Sequence, residues 1–580
     1  MKNENKKMKS AARQNTKQVT KQAAKQVIKQ SKKAPQKTYR VKCREYDALG
    51  RGIVSFNGSK IPVAGLLRGE MAHMTLKHTK DETIGCLTDI EEASENPVSP
   101  ACGYHKKCGA CQLMHMSYEE QLYFKEQLVQ SIFCKNTVRP IIGMENPYHY
   151  RNKVHATFGT DKKGRYIAGF YEENSHRIID ADDCMIQNET ANAIVNDMKL
   201  IAKKLNIRPY NEDKKSGILR HVLIRTGLKT GQVMVVPVIG SAVFAGKNQF
   251  VKQLLEAHPE ITTIVINYNS KKTSMILGDK EEVVFGNGYI EDELCGCRFQ
   301  ISPKSFYQVN PVQTEKLYNA AIKMAQLSSK DRILDAYSGI GTISLIAAGS
   351  AASVTGVEIN KAAVHNAKEN SRLNNAQNVN FICEDAGKFM QQSCKNEKYD
   401  VVFIDPPRSG CDKPFINSLI RLNPERIVYI SCNPVTQKRD TDILAKAGYQ
   451  IEDVQPVDMF GMSYHVETVV LLSHKKPDGH INVKVEFGEG EGKVPLDNIA
   501  KRAETYKPKE RVTYKMIKEY IEAKYGFKVH TAYIAEVKRD LGLPMYDAPN
   551  AVEELKQPRK HPTAEKVEAI KDALKHFDLI

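Results

Sequence analysis

The chain has 580 residues and a formal net charge of +17, and 41% of its residues are hydrophobic. This length allows several domains with large cores that need no disulfide bonds. The sequence contains no apolar run long enough to cross a bilayer, and its first residues lack the apolar segment of a signal peptide. We therefore expect a cytoplasmic monomer without a membrane partner. Its 13 cysteines then stay reduced and serve in metal binding, catalysis or packing.

Much of the positive charge lies at the N-terminus, because residues 1–40 contain 11 Lys, 2 Arg and 1 Glu. Lys-Gln pairs recur there every four positions, from Lys17 to Lys29. The few apolar residues of segment 1–37 cannot build a core, so we predict a basic disordered tail. Such a tail either keeps the protein soluble or binds a polyanion through contacts that weaken with salt.

Short β-rich runs separated by turns fill residues 38–97. The runs Tyr39–Cys43, Gly52–Phe56 and Met71–Leu76 are bounded by glycines and end before Asn96-Pro97. This spacing predicts a small antiparallel barrel, and the resemblance given below implies that it is of the oligonucleotide-binding type.

Residues 98–300 show mixed helical and strand patterns, and residues 301–474 change to a regular alternation of strands and helices. The candidate strands of this second segment are Arg332–Ala336, Ser353–Glu358, Val379–Ile382, Asp400–Ile404, Arg426–Ile430 and Val466–Leu472. The helical patterns between most of them predict an α/β fold with a parallel, doubly wound sheet.

The last segment, residues 475–580, starts with a glycine-rich stretch at 486–492 that is typical of a linker. Thr513 is placed to cap a helix that ends near Gly526, and Thr531 to cap a second helix. Two short helices joined by a turn permit a helix-turn-helix, and we expect a contact with nucleic acid or protein.

A glycine-rich turn follows the first strand of the α/β segment. Gly339-Ile340-Gly341 lets the backbone turn sharply and approach a ligand at the start of a helix. Glu358 ends the next strand, 17 residues after Gly341, where a carboxylate can accept both hydroxyls of a ribose. The pattern suits NAD and S-adenosylmethionine equally, and a purely structural turn is the alternative.

Two further strands of this segment end in reactive or ligand-binding groups. Asp405-Pro406-Pro407 follows one apolar strand, at the edge where open α/β sheets bind ligands, and resembles methyltransferases that act on planar bases. Cys432 follows the next strand, and Asn433-Pro434 ends that strand at once, which places the thiol at the sheet edge. A rigid loop and a packing cysteine are the structural alternatives. We expect the charges of segment 437–440 to favour a thiolate.

Four segments resemble, in the same order, motifs of the RNA uracil-5-methyltransferases: Phe306–Asn310, Asp405–Cys411, Ser431–Asp440 and Asp458–Glu467. The resemblance covers residues 40–473 and departs at Gly461, where that family usually has proline. It implies a Rossmann-like class I methyltransferase sheet in residues 301–474, a central α+β domain with a metal cluster in residues 98–300, and an RNA-binding TRAM barrel before them.

The resemblance also implies a covalent mechanism. The Cys432 thiolate adds to C6 of uracil, C5 attacks the methyl group of S-adenosylmethionine, and Glu467 removes the C5 proton before Cys432 leaves. The uridine must be unstacked for this chemistry. For Glu467 the alternative is a surface carboxylate of an edge strand. The family's cofactor-binding residues correspond here to Gln308, Tyr337, Thr342, Glu358, Asp385 and Asp405.

Three closely spaced cysteines and one distant cysteine form a second group: Cys102, Cys108, Cys111 and Cys184. Thiols at such spacing in a reducing compartment predict metal ligation, for which zinc is the general alternative. The resemblance implies a [4Fe-4S] cluster at these places, as in the ribosomal-RNA branch of the family, and it alone selects Cys184 as the fourth ligand. Spacing alone leaves Cys134, Cys295 and Cys297 as rival ligands.

The resemblance thus predicts methylation of a uridine in RNA at C5. We expect 23S ribosomal RNA as the substrate, because the familiar bacterial transfer-RNA enzymes lack both the barrel and the cysteine group. Transfer RNA is the alternative substrate, and a non-catalytic RNA-binding protein is an alternative function. An NAD-dependent oxidoreductase would leave Cys432, Glu467 and the Asp-Pro-Pro segment without roles.

Overall fold

The structure is a computed structural model that describes residues 37–173, 175–271, 275–393, 397–474, 513–541, 543 and 561–577. The chain divides into two compact units, residues 1–478 and residues 479–580. The predicted tail, apart from Lys37, and the predicted linker at 486–492 lie outside the described residues. None of the described helices is long and apolar enough to span a membrane.

Five strands near the N-terminus form the predicted barrel, which is closed. They are β1 (Tyr39–Tyr46), β2 (Gly52–Phe56), β3 (Ser59–Val63), β4 (Met71–His78) and β5 (Thr83–Glu92), in spatial order β1-β2-β3-β5-β4. One pair differs from the antiparallel prediction, because β3 and β5 meet in parallel where Val63 faces Gly85. A Cβ on Gly85 would lie 2.7 Å from the Val63 side chain, so closure at this point requires glycine.

Two helices lead from the barrel into the centre of the unit, the short α1 (His105–Cys108) and α2 (Tyr118–Ile132). Ser117 caps α2 by accepting a hydrogen bond from the Glu120 N–H at 3.2 Å, and two glutamates occupy its first turn.

The middle of the chain builds a seven-stranded mixed sheet. Its strands are β6 (Lys153–Thr160), β7 (Tyr166–Tyr171), β8 (Ile178–Asp180), β9 (Leu219–Thr226), β10 (Val233–Ile239), β11 (Ile261–Tyr268) and β12 (Lys280–Phe285), in spatial order β12-β11-β10-β9-β6-β7-β8. Helices α3 (Glu189–Lys204) and α4 (Lys247–Ala257) cover one face, where Val154 and Ile224 are buried. On the other face, Leu223 and Met234 share a core with the C-terminal part of the unit.

A two-stranded hairpin, β13 (Ile290–Leu294) and β14 (Cys297–Ile301), precedes the α/β part. The second seven-stranded sheet consists of β15 (Arg332–Asp335), β16 (Ser353–Glu358), β17 (Val379–Cys383), β18 (Val401–Ile404), β19 (Arg426–Ser431), β20 (Tyr449–Val457) and β21 (Glu467–His474). Its helices are α5 (Pro311–Ala325), α6 (Thr342–Ala348), α7 (Lys361–Leu373), α8 (Ala386–Ser393), α9 (Lys413–Leu422) and α10 (Pro434–Lys446).

The prediction of a parallel sheet is right for five strands and wrong for β21. The spatial order is β17-β16-β15-β18-β19-β21-β20, and β21 runs antiparallel to both of its neighbours. Parallel strands need a long crossover, usually a helix. The chain between β20 and β21 is only the loop 458–466, which has no helix, so β21 returns beside β20 in the opposite direction. The sequence prediction missed β20 altogether.

The described part of the second unit contains three helices, α11 (Tyr514–Tyr525), α12 (Thr531–Asp540) and α13 (Ala564–His576). Thr513 caps α11 and Gly526 ends it in the left-handed conformation, as predicted. The cap of α12 is His530 instead of Thr531, which is the first helical residue. α13 was not predicted, and it completes a core around Ile521 and Ile534.

A buried ion pair ties α2 to the loop 458–466. Lys125 Nζ donates to Asp458 Oδ1 at 2.6 Å and to the Phe460 carbonyl at 3.1 Å, and neither ionic side chain is exposed. Tyr118 donates its hydroxyl hydrogen to Asp458 Oδ2 at 2.7 Å. The first residues of the loop are therefore held from the α2 side.

Replacing Lys125 by Met should leave the buried Asp458 carboxylate uncompensated and lower the free energy of unfolding by about 3 kcal/mol. Urea denaturation measures this change. The double variant Lys125→Met with Asp458→Asn should recover part of the loss, since no isolated charge remains. Lys60→Met is the control, because the Lys60 side chain is 75% exposed in its pair with Glu45. Equal losses in Lys125→Met and Lys60→Met would contradict a structural role for the buried pair.

Candidate active site

Cys432 and Glu467 lie beside each other at the carboxyl edge of the second sheet. β19 ends at Ser431 and β21 begins at Glu467, and Ser431 lies opposite Thr468 in this antiparallel pair. The register therefore places Cys432, the residue after β19, across from Glu467. Cys432 is half-buried and Glu467 is 4% exposed. The predicted nucleophile and the predicted base are thus neighbours at the edge of the sheet.

A buried amide fixes this arrangement. Gln437, on the first turn of α10, donates through Nε2 to the backbone oxygens of Tyr429 at 2.8 Å and Thr468 at 3.2 Å. The Thr468 hydroxyl donates back to Gln437 Oε1. The Gln437 side chain therefore joins β19 to β21 close to Cys432.

The positive charge beside Cys432 comes from Arg408. Burial raises the pKa of the Cys432 thiol and the Glu467 carboxylate raises it further, whereas the hydrogen bond and charge of Arg408 lower it. From the sequence, we expected the positive charge that favours the Cys432 thiolate to come from segment 437–440. The two cations of that segment instead pair with carboxylates of their own helix, so they are neutralised there.

His465 lies next to Arg408, with 3.2 Å between its Nε2 and Arg408 Nη2. A guanidinium only donates, so Nε2 is the acceptor and the ring hydrogen belongs on Nδ1. Burial and the charges of Arg408 and Lys125 lower the pKa of His465 to about 4, which keeps the ring neutral near pH 7. The sequence reasoning assigned no role to Arg408 or His465. The sequence feature that could have pointed to Arg408 is its position directly after Asp405-Pro406-Pro407.

Three carboxyl groups interact around the same edge. Burial raises the pKa of Glu467 to about 8 and that of Asp405 to about 7, and the charge of Asp405 adds to the shift of Glu467. Burial likewise raises the pKa of Asp335 to about 6, and the charge of Asp335 adds to the shift of Asp405. Neighbouring carboxylates disfavour each other's ionisation, so this edge favours protons or another cation.

The glycine turn adopts the left-handed backbone that its composition predicts. Gly339 has a φ of 54° and Gly341 a φ of 86°. A Cβ on Gly341 would lie 2.6 Å from the Phe381 ring, whereas a Cβ on Gly339 would meet no atom within 4 Å. The turn is therefore packed on one side and open on the other.

Glu358 is held directly at this turn. Its Oε2 accepts from the Gly339 N–H at 3.2 Å, and its Oε1 accepts from the Asn360 N–H at 2.7 Å. The structure thus brings the predicted ribose-binding carboxylate and the open glycine together.

Gln308 and Thr342 meet around a tyrosine that the sequence reasoning missed. The Tyr318 hydroxyl contacts the side chains of both residues and feels the charge of Asp405. Tyr318 is 3% exposed on α5, where its spacing is that of an ordinary core residue. No local sequence signal separates such a tyrosine from packing.

Tyr337 and Asp385 lie near each other on the other side of the turn. The Tyr337 ring packs on Phe415 with 5.2 Å between centroids. The charge of Asp385 contributes to the raised pKa of Tyr337, and its Oδ1 accepts from the Lys388 N–H at 2.9 Å. Two rings and a carboxylate can accommodate a purine with an exocyclic amine.

The four cysteines predicted to hold a cluster line one cavity, together with His105 and Phe170. Burial and the charges of the other three thiols raise the pKa of Cys111 to about 12, and burial is also the largest cause that raises the pKa values of Cys108 and Cys184. Among the described residues, no group of three or more His, Cys, Asp or Glu has the arrangement of a metal site. The donor atoms are therefore gathered without a preformed coordination geometry.

The rival cysteines lie elsewhere. Cys134 is exposed just after α2. Cys295 and Cys297 flank the turn between β13 and β14 and pack against the α/β core. Their partly buried side chains contribute to the packing of this core.

Gly461 stands where the family usually has proline. It packs closely against the segment before β6. A Cβ on Gly461 would lie 3.1 Å from Pro147 Cβ and 3.4 Å from Met144 Sδ. A proline ring at this position would require these neighbours to move.

Comparisons with known proteins match more than half of this chain. The model of the tRNA (uracil-5-)-methyltransferase family matches residues 117–475. An uncharacterized RNA methyltransferase of Halalkalibacterium halodurans is 42% identical over 434 residues, which are 73% of this chain and 94% of that protein. Another, of Clostridium tetani, is 41% identical over 444 residues, covering 75% of this chain and 96% of that protein.

Among solved structures, the chain is similar to the Pyrococcus abyssi tRNA (uracil-54, C5)-methyltransferase in complex with S-adenosyl-L-homocysteine. The TM-score is 0.60 and the identity 27%, over 75% of this chain and 100% of that chain. About a quarter of this chain thus has no counterpart in these proteins.

The raised pKa of Glu467 predicts a pH-dependent effect on stability. A carboxyl whose pKa is about 8 when folded and 4.5 when unfolded stabilises the fold fully below pH 4.5. This contribution is lost as the pH rises through 8. Glu467→Gln should therefore be more stable than the native protein above pH 8 and equally stable below pH 4.5, as thermal unfolding at several pH values will measure.

The exposed Glu425 provides the matched control, because it lies just before β19 and is not enclosed. Glu425→Gln should shift the unfolding temperature by less, and without a trend between these pH limits. A stability gain for Glu467→Gln that stays constant with pH would refute the assignment of the shifted carboxyl.

Proposed function

The chain belongs to the tRNA (uracil-5-)-methyltransferase family, and we propose that it methylates C5 of a uridine in RNA through a covalent bond between Cys432 and C6 of the base. The observation that carries this proposal is the pairing of Cys432 with Glu467 across β19 and β21. Together they supply the nucleophile and the base that methylation at C5 requires.

Cys432 acts first in the proposed reaction. Arg408 favours the thiolate, which adds to C6 of an unstacked uracil and makes C5 nucleophilic. S-adenosylmethionine, when bound, supplies an electrophilic methyl group on a positively charged sulfur. Once C5 carries the methyl group, Glu467 removes the proton from C5. The electrons of that C–H bond form the double bond between C5 and C6, and the bond from C6 to Cys432 breaks to release the thiolate.

The neighbouring carboxyl groups Asp335 and Asp405 control when Glu467 is deprotonated and can act as a base. In the free protein its pKa of about 8 keeps it largely protonated near pH 7. Asp405 and Glu467 lose their protons more readily when a cation occupies the adjacent space, because the positive charge stabilises both carboxylates. Binding of a cationic donor therefore raises the fraction of Glu467 that is deprotonated before the methyl group is transferred.

Six residues are proposed to bind the methyl donor: Gln308, Tyr337, Thr342, Glu358, Asp385 and Asp405. Glu358 suits the ribose hydroxyls at the open glycine turn. Asp385 suits the amino group of the adenine, beside the Tyr337 ring. Tyr318 orients two of these residues through its hydroxyl.

We propose 23S ribosomal RNA as the substrate and the cytoplasm as the place of action of the monomeric enzyme. The barrel and the gathered cysteines favour this substrate by analogy with the ribosomal-RNA branch of the family. Transfer RNA is the second candidate, and a specific observation favours it. The chain is similar to the Pyrococcus abyssi transfer-RNA enzyme over 75% of this chain and 100% of that chain.

Cys432→Ala should abolish methyl transfer and leave the binding of S-adenosylmethionine nearly unchanged, because Cys432 is not one of the six residues proposed to bind the methyl donor. Transfer of a radiolabelled methyl group measures the first effect, and isothermal calorimetry the second. Unmodified ribosomal RNA and transfer RNA, both from cells without this protein, are compared as substrates, and Cys383→Ala is the matched control at an exposed cysteine.

Glu467→Gln tests the same proposal from the other side. Without the base, the bond between Cys432 and the methylated uridine should persist as a protein–RNA adduct in a denaturing gel. Normal turnover by Cys432→Ala, or the lack of an adduct with an RNA that the native protein methylates, would refute the mechanism.

A [4Fe-4S] cluster bound by Cys102, Cys108, Cys111 and Cys184 is part of the proposal. Four thiols that line one cavity fit such a group, and a bound metal would stabilise the thiolates that burial disfavours. Anaerobically purified protein should contain about four irons per chain. Cys111→Ser should lose them, whereas Cys295→Ser should keep them. One zinc per chain instead of iron would support the alternative metal.

A further inference from the structure

Two cations, Lys153 and Arg225, and two histidines lie on one face of the central sheet. β6 and β9 pair antiparallel, with Lys153 opposite Arg225 and Thr157 opposite His221. Side chains directly opposite each other point to the same face, and so do residues two positions apart along a strand. Lys153, His155, His221 and Arg225 therefore share one face of the sheet.

The other face of these strands is the apolar core. Val154, Ala156 and Ile224 alternate with the cations and are buried against α3 and α4. Lys153 and His155 keep part of their surface accessible, whereas Arg225 is 2% exposed. The cationic face is thus partly open at β6 and closed at β9.

The lysine and the arginines of this region make no ion pair with any described residue. In the part of the chain that the structure describes, neither Lys153, Arg225 nor the neighbouring Arg151 has a carboxylate within 4.0 Å. One buried nitrogen of Arg225, its Nε, and one of His155, its Nδ1, have no hydrogen-bond partner. Arg225 uses its Nη2 for the backbone oxygen of Ser305.

The cations act on one another. Burial and the charges of Arg225 and Arg151 lower the pKa of Lys153 to about 8. Burial and the charges around it, with that of Lys153 the largest, lower the pKa of His155 to about 3. Positive charges that are held together without a partner destabilise the folded protein, and a bound anion would remove this cost.

The cationic face adjoins the candidate active site. The Arg225 side chain contacts the segment that leads to Gln308, through Ser305. Asn152, between Arg151 and Lys153, donates its backbone N–H to the Val309 oxygen at 2.9 Å and its side-chain amide to the Gln308 oxygen at 3.1 Å. The backbone of a proposed donor-binding residue is thus fixed to the strand that carries the cations.

We propose that Lys153, with Arg151, His155 and Arg225 around it, binds a phosphodiester of the RNA strand that flanks the target uridine. This inference rests on the proposed function, since it takes RNA as the substrate. A phosphate supplies the negative charge that the face lacks and accepts hydrogen bonds from several donors at once. Because the same strand holds Gln308, the contact also sets the distance between the RNA backbone and the methyl donor.

Lys153→Gln tests the proposal. The KM for RNA should rise about fivefold, with kcat and the affinity for S-adenosylmethionine nearly unchanged. The slope of log affinity against log salt should fall by about one. The unfolding temperature should rise, because the substitution removes repulsion from Arg225 and Arg151. Lys153→Arg should restore RNA affinity.

Lys280→Gln is the matched control, because Lys280 is an exposed lysine on β12, the far edge strand of the same sheet. It should leave KM, salt slope and stability unchanged. A Lys153→Gln variant with unaltered KM and salt slope, or with a lower unfolding temperature and normal RNA affinity, would overturn the inference.

The two proposals fail in different ways. If the native protein methylates a uridine and Lys153→Gln does so with the native KM, only the phosphate site is wrong. If the native protein transfers no methyl group to RNA, the proposed function is wrong. Binding of a fluorescein-labelled oligouridylate by native protein and Lys153→Gln then still decides the phosphate site.

Discussion

The antiparallel pair β19–β21 determines where the chemistry can take place. Five parallel strands present only their ends at the ligand edge, whereas β21 begins there. The end of one strand and the start of its neighbour can therefore place Cys432 and Glu467 side by side, with a separation set by backbone hydrogen bonds. Gln437 joins the two strands, so the separation does not depend on the more exposed loops.

Two groups of like charges in the first unit, of opposite sign, are held close together without an ion pair to compensate them in the described parts of the chain. Asp405 and Glu467 are carboxyls whose pKa values are raised by burial and by neighbouring carboxyls. Lys153 and Arg225 are cations that lack carboxylate partners among the described residues. Each arrangement makes the free protein less stable, as is common at binding sites. Each also complements one proposed substrate, a cationic methyl donor or an anionic RNA strand.

The sequence predicted features that depend on near neighbours in the chain. Strands, the glycine turn with Glu358, and the edge position of Cys432 follow from short patterns and were found. The reversed direction of β21 depends on a loop without a helix, and the pattern of its strand does not contain this information. Arg408 could be named from a motif but its role could not. Lys125 and Asp458 are 333 positions apart, and only tertiary packing brings them together.

One helix connects the barrel to the chemistry. Near the start of α2, Glu120 accepts hydrogen bonds from Arg68 at 3.0 Å and from the Tyr46 hydroxyl at 2.7 Å, both in the barrel part of the unit. Further along the same helix, Lys125 holds Asp458 at the start of the loop that ends before Glu467. Because a helix of this length is stiff, these contacts at its two parts hold the barrel in a fixed position relative to the loop that leads to Glu467.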